Sequence, residues 1–224
     1  FDSPIPIYIN LQDYFRLEGL VYRLVPVYSK SRNPNVYGSV GTDVMLKNVM
    51  DKFTWGGMDT KDSLYLDENV LRMTTNLRLQ LATLADALVD EGRKGDAKKV
   101  LDLCQEKMPE RNVPYDRIML PIIEAYYKAD DTTAANTLTE RLFTIMDQNM
   151  EFYLSLDPKF ASKVDDDMGL TQLVMNRLAQ NATLAGQKGL ADRLKARLKE
   201  IDPLFEQKMQ DIEMMGRRTS TVRF

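Results

Sequence analysis

Seven residues recur at one fixed offset along this 224-residue chain. Leu84, Ala85, Gly92, Lys94, Gly95, Ala97 and Pro109 reappear as Leu178, Ala179, Gly186, Lys188, Gly189, Ala191 and Pro203, each 94 residues later. Around both copies, apolar residues return every three or four positions, which is the period of a helix with one buried face. A sequence repeated in this way, with glycine between two periodic stretches, predicts pairs of antiparallel helices.

The best-formed pair matches the tetratricopeptide pattern, whose period is about 34 residues. Leu81, Leu84, Ala85 and Leu88 lie on the first helix. Ala97, Leu101 and Cys104 lie on the second, and Pro109 closes it. The small Ala85 and Ala97 let two helix backbones approach, and proline has no N–H with which to continue a helix. The 94-residue offset is not a multiple of that period, so a longer middle unit is expected between the copies. Ile122, Ala125, Tyr126, Ala135, Leu138 and Leu142 form its degenerate repeat. The alternative is a helical bundle without true repeats. Both are mostly α.

Helices are expected over about 67–91, 95–108, 116–129, 132–154 and 166–187, with a last one from about 190 that Asp202-Pro203 breaks or restarts. Val70, Met73 and Leu77 extend the apolar face of the first. Residues 67–215 thus form the helical domain, and 216–224 are read as a loose tail. Residues 1–66 have another texture, with prolines, glycines and short β-type runs at Ile5–Ile9 and Val21–Val25. Leu11–Leu20 is expected to be a short helix and Ser29–Gly41 a loop. Asp43 is expected to cap a helix running to about Phe53. This part reads as a small mixed α+β segment.

The chain has no histidine, which removes serine–histidine and cysteine–histidine catalysis and histidine zinc sites. Its one cysteine, Cys104, sits at a core position of the repeat and reads as a structural thiol. A formal net charge of −3 gives no electrostatic case for nucleic acid. No apolar run reaches the roughly 18 residues that span a bilayer. The glycine clusters at 38–41 and 56–57 complete no phosphate or dinucleotide fingerprint, so no cofactor is expected. Asp165–Asp167 precede an expected helix and read as its cap, not as a calcium loop. The candidate binding residues are Trp55, Gly56 and Gly57, the only tryptophan beside two glycines, and Tyr37 in the polar loop. The commoner role of such a tryptophan is to anchor its loop. The opening, Phe1-Asp2-Ser3-Pro4, is that of a piece of something longer.

Several ordered blocks are distinctive: Tyr14 to Pro26, Thr42-Asp43-Val44-Met45, Lys52-Phe53-Thr54-Trp55-Gly56, Tyr65 to Asn69, and Val113-Pro114-Tyr115. Together they resemble the C-terminal soluble region of a bacterial family of large polytopic membrane proteins. That family is a domain of unknown function described as related to protein O-mannosyltransferases. The resemblance, strongest over 14–156, implies an extracytoplasmic, periplasmic tail tethered through an N-terminal membrane part. It implies that any catalytic acids lie in that membrane part and none in this chain. The partners expected are a protein or peptide, or the membrane-embedded part itself. One expectation is therefore a non-catalytic interaction module. The other is a domain that lends the loops around Tyr37 and Trp55 to a glycosyltransferase site.

Overall fold

A computed structural model of the protein describes residues 11–31 and 36–220. The β-type run at Ile5–Ile9 and the end of the expected tail lie outside the described residues. The fold is mostly α with a small mixed sheet near its start. The chain divides into two compact units. One comprises residues up to 114 with Glu124–Asp131, and the other Tyr115–Ile123 with everything from Thr132. Strand Ser39–Val40 and helix Thr42–Lys47 pack on helix Glu68–Asp90, which joins the α+β part to the first helix pair.

In the first unit, β1 (Phe15–Leu17) lies between β2 (Tyr22–Leu24) and β3 (Ser39–Val40). It runs antiparallel to β2 and parallel to β3. The helix expected over Leu11–Leu20 is absent: a 3-10 turn at Gln12–Tyr14 leads straight into β1. Pairing on both sides of β1, with Leu17 fully buried, outweighs the helical propensity of that segment. β3 was likewise expected to be loop. Gly38 makes it possible, with φ +63° and its α-carbon against the Phe15 carbonyl, where any side chain would collide. Helix α1 (Thr42–Lys47) continues as a π turn to Lys52, and Gly41 stands at its cap position in place of Asp43, which lies in the first turn.

Helices α2 (Glu68–Asp90) and α3 (Lys94–Lys107) pack as a pair. Asp67 caps α2 by accepting the Val70 N–H at 2.9 Å. Val70 and Met73 are exposed, Met73 to 68%, so they do not extend the buried face. In this part of α2 that face runs through Thr74 and Arg78 instead.

The next helices are α4 (Met119–Lys128) and, in the second unit, α5 (Thr132–Ser155), α6 (Pro158–Ala161), α7 (Asp165–Leu184) and α8 (Lys188–Ser220). Within that unit α7 packs against α5 and α8, and the short α6, not foreseen, packs on α8. Pro203 neither breaks nor restarts α8, which is continuous to Ser220. A proline removes one backbone hydrogen bond, and here the helix is held on both sides of the gap. Gln172 donates to Asp202 before it, and Lys208 donates to the Leu156 carbonyl at 2.8 Å beyond it. The loose tail expected from 216 is helical to Ser220.

The same turn ends three of these helices. Gly92, Asp130 and Gly186 adopt φ of +78°, +65° and +72°. In each turn the left-handed residue donates its N–H three residues back, and the next residue donates five back. The second bonds are Arg93 to Leu88 (2.8 Å), Asp131 to Tyr126 (3.0 Å) and Gln187 to Ala182 (2.9 Å). This is the Schellman cap, which satisfies the last carbonyls of a helix and turns the chain away from its axis.

Counted from that residue, the buried positions coincide. Leu81, Met119 and Met175 correspond, as do Leu84, Ile122 and Leu178, then Leu88, Tyr126 and Ala182. After the turn, Ala97, Ala135 and Ala191 correspond, and so do Cys104, Leu142 and Leu198. All are buried. The first and second turns are 38 residues apart and the second and third 56. The excess lies where α5 and α6 are.

No atom stands within 4 Å of the β-carbon position at Gly92 or Gly186. Gly92→Ala and Gly186→Ala should therefore each cost about 1–2 kcal/mol, from backbone conformation alone. Asp130→Gly should change stability by less than about 1 kcal/mol, because relief of the left-handed backbone is set against loss of the exposed Lys94 ion pair. Urea titrations of the three variants check this, and Gly38→Ala, which adds a collision, should cost more than either turn variant.

Candidate functional site

The chain leaving α3 is fastened from beneath by a buried arginine. Arg78 is fully buried on α2 and donates to the carbonyls of Met108 (2.8 Å), Val113 (2.5 Å) and Pro114 (2.9 Å). Its planar fork suits several oxygens at once. The segment so held is itself a clamp. Asn112 is buried, donates to the Met58 carbonyl at 2.8 Å and accepts the Leu64 N–H at 3.1 Å. Arg111 donates to the carbonyls of Asp59 (2.8 Å) and Thr60 (2.7 Å), and Lys107 pairs with Asp59 at 2.8 Å. The 58–64 strap is thus tied to the end of α3. Neither Arg78 nor Asn112 was singled out in the sequence. The available signal was a charged residue on the stripe that carries Leu81, Ala85 and Leu88.

Trp55, Gly56 and Gly57 form the turn that leads into this strap. Met58 donates to the Trp55 carbonyl at 3.2 Å and Thr60 to the Gly57 carbonyl at 3.0 Å. Gly56 and Gly57 have φ of +60° and +77° and open space around them. Trp55 is half-buried, edge-on to Phe53 at 6.0 Å, and Phe53 lies against Gly19. Tyr37 is 38% exposed, and its ring meets Tyr22 at 5.8 Å. Among the described residues no ring contact joins Tyr37 to Trp55, so the two candidate loops are not brought together by stacking.

Leu81, Leu84, Ala85, Leu88, Ala97, Leu101 and Cys104 are all fully buried, and Pro109 opens the turn whose carbonyl receives the Val113 N–H at 2.9 Å. Burial pushes the Cys104 thiol up to about 12, with Arg78 opposing the rise. At neutral pH it is a thiol, not a thiolate nucleophile. Tyr126 donates to Asp102 at 3.0 Å, and burial, then that carboxylate, hold its phenol well above the ordinary range. Asp165–Asp167 do not cap α7: Val164 holds the cap position and the three carboxylates lie in the first turn, where the positive helix end still favours them. Among the described residues no group of three or more histidines, cysteines, aspartates or glutamates is placed to hold a metal ion, and no helix is long and apolar enough to cross a membrane.

Beside its charged surface, the first unit exposes a group of apolar side chains. Leu20, Val21, Leu24, Val27 and Tyr28, in and around β2, are each more than half exposed. No family model, curated protein or solved structure matches the chain.

Arg78→Met should destabilise the chain by about 3 kcal/mol or more, since it strips a charged donor from three carbonyls, two of them buried. Arg78→Lys should recover less than half of that, because an ammonium cannot fork across them. Denaturant midpoints decide between the two. Cys104 gives a pH signature. In the folded chain it lies above the ordinary thiol value of 9.0, so the folded state keeps a proton the unfolded chain loses. Stability should therefore fall as pH rises from about 9 toward 12, and Cys104→Ala should reduce that slope. Tyr126 titrates in the same sense and leaves a residual slope.

Proposed function

We propose that this chain is a non-catalytic, tetratricopeptide-like module that holds a protein partner. The observation that carries the proposal is the recurrence of one cap and one set of buried positions in three successive helix–turn–helix segments. Proteins built by repeating one such unit bind extended segments or helices on the surfaces that the repetition creates. The chemistry of the first unit supports the same reading. Its cysteine is inert, and the cations of α3 are engaged in ion pairs: Lys94 with Asp130 at 2.6 Å, Lys98 with Asp131 at 2.5 Å.

The cellular setting comes from the resemblance alone. On that basis the module is the extracytoplasmic, periplasmic tail of a larger membrane protein, tethered through an N-terminal membrane part, and it serves that part or a partner of it. The second reading, in which the loops around Tyr37 and Trp55 close over a sugar or acceptor, draws less support. Trp55 rests on Phe53, and the strap that follows it is tied down by Arg111 and Asn112.

Two results test this. The gene should encode membrane spans upstream of Phe1, and a coding sequence without them would remove the membrane setting. The purified chain should transfer no sugar from lipid-linked or nucleotide donors to peptides. Measurable transfer would overturn the non-catalytic reading.

A further inference from the structure

The ladder between β1 and β2 fixes which way each backbone group of β2 points. Val25 donates to the Tyr14 carbonyl at 2.9 Å, and Glu18 donates to the Val21 carbonyl at 3.3 Å, with Arg16 opposite Arg23. In an antiparallel pair, alternate residues bond inward, so Val21, Arg23 and Val25 turn their backbones to β1. Tyr22 and Leu24 turn theirs outward, at the end of the sheet order. Among the described residues nothing pairs with that edge. The side chains of Tyr22 and Leu24 share one face, and Arg23 stands on the other.

Charge says what fits. The Arg23 side chain is 69% exposed and reaches Glu18 only at 3.4 Å. Glu18 is 13% exposed and already held by Arg16, whose Nε donates at 2.7 Å. Two guanidinium groups thus share one carboxylate, which leaves this face positive. A second copy pairing antiparallel through Tyr22 and Leu24 would set Arg23 directly against its own counterpart, and like charges directly opposite destabilise a ladder. A charged residue in an edge strand deters self-pairing for this reason. It admits a strand of the opposite charge.

We propose that the outer edge of β2 is a docking strand for an extended segment of a partner protein, one in which an acidic residue lies between two apolar ones. The acidic residue sits opposite Arg23. The apolar residues flank it opposite Tyr22 and Leu24, on the face where Leu24 is exposed. Main-chain bonds to Tyr22 and Leu24 give the grip, and the side chains give the choice, as in other cases of strand addition. This site lies outside the helix pairs and does not depend on the module reading of them.

The test titrates the whole chain with a fluorescently labelled, blocked heptapeptide in which valine alternates with glutamate, read by anisotropy. Saturable binding is expected, at least about fivefold tighter than for the counterpart with lysine in place of glutamate. Arg23→Glu should reverse that order, with its far-ultraviolet circular dichroism unchanged. N-methylation of the valine amides should abolish binding, a readout on the probe that no folding defect can imitate. Equal binding of the two peptides, no binding, or full binding of the N-methylated probe would each overturn the proposal. So would a dimer by sedimentation that the peptide does not dissociate, or binding that appears only after residues 1–10 are removed.

Discussion

A left-handed backbone at three positions sets the plan of the helical part. Gly92, Asp130 and Gly186 each place one residue at φ between +65° and +78°. That residue closes the helix behind it by satisfying carbonyls that would otherwise face no donor. It also fixes the phase of the helix that follows. Because the turn has one geometry, the next small residue falls at the same distance each time, at Ala97, Ala135 and Ala191, all buried. Alanine fills no space beyond its β-carbon and adds no side-chain entropy cost to helix formation. The same constraint places the first-helix residues, so a turn of six residues determines which side chains are buried over some twenty.

Much of this was visible in the sequence, and the misses have physical causes. Glycine announces a left-handed turn, so the first and third turns could be read and matched through the 94-residue offset. Asp130 does not announce one. An aspartate there looks like any surface aspartate, although aspartate tolerates this conformation better than most residues. The middle segment therefore looked degenerate, while its cap is the same as the others.

Elsewhere the reading failed where distant partners decide. Phe15–Leu17 is a strand because Tyr22–Leu24 and Ser39–Val40 pair with it, and no local propensity encodes that. Pro203 is expected to break or restart the last helix, yet contacts from Gln172 and Lys208 hold α8 on either side. Arg78 lay in plain view on an apolar stripe. What could not be read was its destination, three carbonyls 30, 35 and 36 residues away. Of the candidate site residues, Trp55, Gly56 and Gly57 form one turn as their adjacency implies, whereas Tyr37 belongs to the sheet through Tyr22.

The distribution of chemistry across the first unit points to surfaces. Its buried polar groups tie loops to helices, as Arg78 and Asn112 do. Its ionisable side chains largely neutralise one another, and its thiol is held protonated by burial. Among the exposed apolar side chains, Leu20, Val21, Leu24, Val27 and Tyr28 lie together in and around β2. A partner that covers them gains hydrophobic contact without any rearrangement of the helices.

The equivalence of the three turns can be measured directly by amide hydrogen exchange. The N–H groups of Arg93, Asp131 and Gln187 each close the long bond of a cap. All three should be protected, at levels comparable to the ends of the helices they terminate. Exchange of Asp131 at the rate of an open loop, with Arg93 and Gln187 protected, would show that the middle segment lacks the cap and would contradict a structure built from one repeated turn.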